Sequence, residues 1–322
     1  MTLVNMRRYM SMLLVGGLFA AAMVYSPAAV SGAAEGLSLC LNVIAPTLLP
    51  FFVLSNLLCA LGLPGLVGRF AEPGFRRLFG VSGAGCGAFI LGLTGGYPLG
   101  AASVCSIYTQ GDISRSDAER LLLFCNNTGP AFIIGMAGIG VFRSSSIGLG
   151  LYICHALAAV LAGMLLCSGK RRKLPDAGII RARELSPALT DAMLRALRST
   201  AMISGFVVFF SALAALMRES GLFTLLTGLL WENTPMSLGQ SECLLTGLLE
   251  LGSGIAGMSG LPPTPGNLAL CSFILGWGSL SVQMQTAAVI SPSGLKGTGC
   301  VPAKLLHGLI AASLAWMMGI IL

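Results

Sequence analysis

Leu93-Thr94-Gly95-Gly96-Tyr97-Pro98-Leu99-Gly100 interrupts an apolar, uncharged run that extends from Leu78 to Gly111. Paired glycines and a proline unwind a helix at this point, yet the flanks are too apolar for a surface loop. A second uncharged run, Leu251 to Leu295, is broken in the same manner by Gly252-Ser253-Gly254 and by Pro262-Pro263-Thr264-Pro265-Gly266. Lipid offers no partner to free backbone N–H and C=O groups, so interrupted helices persist only inside protein or beside a water-filled cavity. One interrupted segment in each half of a chain is the sequence mark of a transporter's binding site.

The rest of the chain agrees with a membrane setting. Of 322 residues, 55% are hydrophobic and 10% charged, with a mean hydropathy of +0.85, whereas soluble proteins carry about 25% charged residues. Tyr9–Ala34, Leu37–Gly68, Leu121–Phe142, Ser144–Gly169 and Leu305–Leu322 also lack Asp, Glu, Lys and Arg. Each is near or beyond the roughly 20 residues that cross a bilayer as helix. The net charge of +7 is not a nucleic-acid footprint, because its densest run, Lys170-Arg171-Arg172-Lys173, abuts a spanning segment, where basic residues set orientation. The N-terminus, with Arg7-Arg8 ahead of an apolar stretch, has the outline of a signal peptide. Its apolar run exceeds the usual 7–15 residues, so it reads as a retained first span. Ten cysteines without a Cys-x-x-Cys spacing read as small packing residues, and two isolated histidines make no metal site.

The expected fold is all-α and polytopic. Full spans fall at about 10–31, 38–61, 120–142 (broken at Asn126–Pro130), 147–168, 200–217, 268–289 (broken at Gly276–Gly278) and 304–322. Segments near 84–108 and 242–263 read as re-entrant hairpins. With the N-terminus cytoplasmic, every basic residue except Arg143 and Arg218 lies inside or at the inner interface, Lys304 included, as the positive-inside rule requires. Four regions follow: an N-terminal helix (1–35), a first unit (36–168), a cytoplasmic linker with an interfacial amphipathic helix at 189–199 (169–199), and a second unit (200–322). Each unit contains a hairpin, a broken span and a return span, and the two have opposite orientation in the membrane. Such inverted repeats place a binding site at the midplane. The last spans resemble each other, and both histidines, His155 and His307, fall at matching places near the span starts, where interfacial packing is the expected role.

Four groups of residues carry candidate chemistry. Thr94, Gly95, Gly96, Tyr97 and Pro98 expose backbone donors and acceptors at the first hairpin tip, and a half-helix N-terminus attracts an anionic group. Asn126, Asn127 and Thr128, followed by Gly129-Pro130, put two amides and a hydroxyl inside a span; they suit a heterocycle, a carboxylate or Na⁺, and equally suit capping of two half-helices. Glu250, beside Gly252-Ser253-Gly254, is the one carboxylate placed within the membrane, where a charge costs at least about 2.5–3.5 kcal/mol. It is a candidate for coupling to H⁺ or Na⁺. Ser253, Ser279 and Gln283 are the polar counterparts in the second unit. No catalytic set, phosphate loop or cofactor motif is present, so an enzyme is not expected.

Gly95-Gly96-Tyr97-Pro98-Leu99-Gly100-Ala101, followed by the run Ala118 to Gly135 with its Phe124-Cys125-Asn126-Asn127-Thr128-Gly129-Pro130 core, resembles the nucleoside-recognition, or Gate, domain family. It is similar in particular to the sporulation integral membrane proteins of the YlbJ type. The resemblance extends over nearly the whole chain. It implies half-units like those of concentrative nucleoside transporters, a homo-oligomer as one assembly, a forespore membrane location, and movement of dipicolinic acid during sporulation. Where the family carries a basic residue just after the Gly-Ala of the first hairpin, this chain has Ala102 and Ser103. A nucleoside-like solute, or a scaffold with no solute, remain the alternatives.

Overall fold

The computed structural model describes residues 3–167 and 185–321, and those residues are helical with no strand among them. The basic linker at 168–184, Lys170 to Lys173 included, lies outside the described residues. α1 (Leu3–Val24) and α2 (Ser26–Leu39) meet at Tyr25, which leaves helical geometry at φ −104°, ψ 39° one residue before Ser26-Pro27 starts the next first turn, a position proline tolerates. The span expected at 10–31 therefore straddles a break. The one expected at 38–61 begins earlier, because α2 runs through a widened π turn at Cys40–Ile44 into α3 (Ala45–Ala60).

α4 (Leu63–Phe79) turns sharply into α5 (Gly83–Gly95), with 93° between its Phe70–Phe79 portion and α5. α5 then doubles back through residues 96–98 into α6 (Leu99–Thr109), forming the expected hairpin. The crossing is close because Gly92 and Gly100 straddle the carbonyl of Cys125, and a Cβ on either would collide with it. Small residues permit this approach between helices. α7 (Arg115–Leu122) is capped by Ser114, whose Oγ accepts from Asp117 N at 3.1 Å. The chain then unwinds through Asn126–Gly129 before a π-type helix, Ala131–Val141, and α8 (Ser145–Cys167). Phe75, Phe79, Phe89 and Phe124 pack together beneath the hairpin, with ring centroids 4.7 to 6.2 Å apart.

α9 (Leu185–Glu219) is one helix of 35 residues, about 53 Å long at 1.5 Å per residue. This corrects the sequence reading: the amphipathic segment 189–199 and the span 200–217 form a continuous rod, and no boundary falls at 199/200. Ala188, Ala192, Ala196, Thr200, Ile203 and Val207 give it an unbroken buried stripe at helical spacing. Gly32 and Gly36 of α2 seat against Ser211 and Ala215 of that rod. α10 (Leu222–Asn233) and α11 (Leu238–Leu249) follow. The chain turns at Glu250 into the short α12 (Leu251–Ala256), within the segment expected near 242–263. α13 (Pro265–Trp277) and α14 (Ser279–Ile290) are separated by Gly278 in the left-handed region, φ 77°, and α15 (Cys300–Ile321) closes the described chain. Five described helices are long and apolar enough to cross a membrane, or six if the bent pair is one span. The protein is thus an all-helical polytopic membrane protein.

Candidate functional site

The two breaks and the two hairpin turns converge. A cavity of about 50 Å³ is bounded on one side by Thr94–Tyr97, Thr128 and Gly129, and on the other by Glu250–Gly252 and Gln285. Ile44, Phe52, Phe132, Ile203, Val207 and Val282 supply apolar wall. Gly96 makes the close approach possible: at φ 77° it presents its backbone to Gly129, and a side chain there would meet the Gly129 nitrogen at 2.9 Å. Pro98 is buried in the turn but is not part of the cavity lining.

The polar residues of the first break hold the molecule together across its halves. Asn126 is 1% exposed. Its Oδ1 accepts from Ala101 N at 3.3 Å and its Nδ2 donates to Thr286 Oγ1 at 2.7 Å. Asn127 donates through Nδ2 to Phe124 O at 2.8 Å and accepts through Oδ1 from Lys304 Nζ at 3.4 Å. Thr128 donates its backbone N–H to His155 Nε2 at 3.1 Å and its hydroxyl to Leu275 O at 2.8 Å. Both amides and the hydroxyl thus already have protein partners, and of the three only Thr128 borders the larger cavity.

Glu250 adopts extended geometry, φ −140°, ψ 122°, and its carboxylate accepts the backbone N–H groups of Gly252 and Ser253. Hydrogen bonds to a charged group contribute about 1.5–3 kcal/mol each, so two of them act against the cost of burying the carboxylate. The carboxylate is 3% exposed and borders the cavity. Ser253, by contrast, borders a separate vestibule of about 350 Å³ with Glu35, Arg218 and Glu242. The turn at 250–253 is therefore the partition between vestibule and cavity.

Ser279 and Gln283 are not in the larger cavity. Ser279 is fully buried with φ 65°, and its hydroxyl accepts from Val282 N at 3.2 Å. A non-glycine residue in the left-handed region is held there against strain. Gln283 donates to Trp277 O at 3.2 Å and lines a second, smaller cavity with Tyr97, Asn126, Thr286 and Lys304. The polar residue of α14 that reaches the cavity of about 50 Å³ is Gln285, 2% exposed, whose Oε1 has no hydrogen-bond partner among the described residues. Helical spacing from Gly278 puts Val282, Gln285 and Thr286 on one face, a signal present in the sequence.

The histidines are buried inside the protein. His155 and His307 are 0% and 2% exposed, and their rings lie 4.4 Å apart, tilted at 43°. His307 Nε2 sits 3.1 Å from the carbonyl of His155. A carbonyl only accepts, so Nε2 carries the hydrogen and Nδ1 is bare. That bare nitrogen faces Lys304 Nζ at 3.5 Å. Lys304 is 5% exposed, so its ammonium end is enclosed by protein. The stripe Cys300, Ala303, Lys304, His307, Gly308, Ala311 and Ala315 is buried along α15. Its spacing of three and four residues is present in the sequence.

No family model matches the chain, and no solved structure matches it. The sporulation integral membrane protein YlbJ of Bacillus subtilis (strain 168) is 30% identical to it over 305 residues, which cover 86% of this chain and 74% of that protein. The chain belongs to the YlbJ family of sporulation integral membrane proteins.

Proposed function

We propose that the protein is a membrane transporter of a small anionic solute, with dipicolinic acid as its cargo in spore formation, working by alternating access between the two halves. The observation that carries this is the cavity at the junction of the halves, whose walls come from the Thr94–Tyr97 tip, the Thr128–Gly129 break, Glu250–Gly252 and Gln285. Small-molecule sites usually have about 300–1,000 Å³. A space of about 50 Å³ suits a contracted state that opens when the 250–253 partition moves and admits the vestibule. Inverted orientation of the two Gate-like units, a cytoplasmic N-terminus, a forespore location and Glu250 as the H⁺ or Na⁺ coupling group belong to this reading.

The test is uptake of labelled dipicolinate, or of a nucleoside, by proteoliposomes containing the purified protein. Saturable uptake by the wild type that unlabelled dipicolinate competes away supports the proposal. Wild-type protein that inserts and folds but moves none of the solutes refutes it. That result favours the scaffold reading, for which the protein-satisfied amides of Asn126 and Asn127 are the specific support.

A further inference from the structure

Lys304 is the one buried lysine among the described residues, and its surroundings do not neutralise it. An ammonium group has three donors. One points to Asn127 Oδ1 at 3.4 Å and one to His307 Nδ1 at 3.5 Å, both at the long end of the hydrogen-bond range. Both acceptors are neutral, His307 because its other nitrogen donates to the His155 carbonyl. The ring of Tyr97 lies 5.4 Å away, a further favourable but uncharged contact. Among the described residues no carboxylate lies within ion-pair distance of Lys304, and its third N–H has no protein acceptor. A buried cation without a counter-charge is costly and is ordinarily paired.

The group also faces a space. Lys304, Asn126, Gln283 and Thr286 border the smaller cavity, of about 10 Å³, room for about one water. Tyr97 and Val282 border this cavity and the larger one alike. Displacing the Tyr97 ring therefore joins the two into a single chamber with Lys304 at its end.

We infer that Lys304 is the cation that receives a carboxylate group of the solute, with Asn126, Gln283 and Thr286 around it as the polar frame. This rests on the transport reading and supplies its charge selectivity: a carboxylate provides the counter-charge the protein omits, with one oxygen for the unused ammonium N–H. Charge-assisted bonds of this kind are short and strong once water is excluded.

The experiment uses the full chain in detergent and follows its melting temperature with four probes: pyridine-2,6-dicarboxylate, benzoate, the neutral isostere pyridine-2,6-dicarboxamide, and uridine. A ligand that binds only the folded protein raises that temperature. The dicarboxylate is expected to stabilise the wild type and the dicarboxamide not to. Lys304→Met should bind the dicarboxylate roughly 30-fold more weakly or worse, as when a buried charge pair loses one member, while melting no lower than the wild type without ligand. Lys304→Arg, the second variant, should keep the preference for anion over amide. If Lys304→Met binds the dicarboxylate as the wild type does, the inference is wrong and the transport reading stands; if dicarboxamide or uridine binds in place of the anions, the inference and the anionic cargo both fall. If no probe shifts the folded wild type, both fall.

Discussion

The hydroxyl of Tyr97 closes against Gly278: a Cβ built on Gly278 would lie 2.5 Å from Tyr97 Oη and 3.0 Å from Cζ. The tip of the first hairpin is thus seated on the break of the second broken helix. Each interruption of the apolar runs is completed by the other, which is why neither needs lipid or bulk water to cover it.

Gly278→Ala tests this seat. The left-handed backbone at φ 77° costs an alanine about 1–2 kcal/mol by itself, and the clash with Tyr97 adds to it. The expected result is a lower melting temperature than wild type, partly recovered in the double variant with Tyr97→Phe, which removes the nearest atom. Equal stability of single and double variants would mean that the tip does not rest on this break.

His155 should be structural through one acceptor. Its Nε2 takes the Thr128 N–H, while its Nδ1 has no partner among the described residues. Replacing it with leucine leaves a buried amide unsatisfied, at about 1–3 kcal/mol. Glutamine brings an oxygen to the same neighbourhood. We expect His155→Leu to melt well below wild type and His155→Gln to lie between them. If leucine is tolerated as well as glutamine, the amide has found another acceptor and the geometry given for Thr128 is wrong.

The membrane-flanking end of the site is tied by charge. Arg115 Nε bonds Glu119 Oε1 at 3.0 Å, Arg115 Nη2 reaches Gly294 O at 2.8 Å, and Lys296 N–H donates to Glu119 Oε1 at 3.2 Å. The hydrogen bond from Arg115, chiefly, holds the Glu119 carboxyl below the usual carboxylate range, with the Lys296 amide adding to it. Because the folded-state value is depressed, the stabilisation is fully present above the unfolded carboxylate value of about 4.3 and is lost as pH falls through the lower folded value. The side chains are 52% and 31% exposed, so the contribution is at most about 1 kcal/mol. Melting curves of wild type and Glu119→Gln should differ slightly at pH 7, converge as pH drops below that value, and converge again at high salt. A gap that widens on acidification would contradict the assignment.

How much of this was legible beforehand depends on what each residue's neighbours do. The breaks at Asn126–Gly129 and Gly278, and the hairpin at 96–98, follow from glycine, proline and amide chemistry that acts within a few residues, and the sequence places them correctly. The continuity of α9 was missed because charge at Arg195 and Arg198 suggested a surface helix, while no residue near Ser199 stops a helix. The burial of Lys304 and the histidines was missed for a related reason. A basic residue at the start of an apolar segment ordinarily snorkels to the interface. Only the packing of α15 against α13 and α8, with its small residues inward, turns Lys304 and His307 into the protein. The side-chain donations of Asn126 and Thr128 to the other half go to Thr286 and to the Leu275 carbonyl, about 150 residues along the chain or further, a distance local patterns do not span.

Glu250 offers the sharpest separation of structural from coupling roles. Both carboxylate oxygens are taken by the amides that open α12, so Glu250→Ala leaves two buried donors and should lower the melting temperature and abolish uptake together. Glu250→Gln keeps one acceptor oxygen but cannot lose or gain a proton at neutral pH. If the carboxylate couples transport, Glu250→Gln should fold and still exchange solute across proteoliposomes at equilibrium, yet fail to concentrate it when an inward H⁺ or Na⁺ gradient is imposed. Wild type should concentrate solute under one of these gradients and not under the other, which names the ion. Gradient-driven accumulation by Glu250→Gln equal to wild type would assign Glu250 to helix capping alone and move the coupling group elsewhere in the cavity wall.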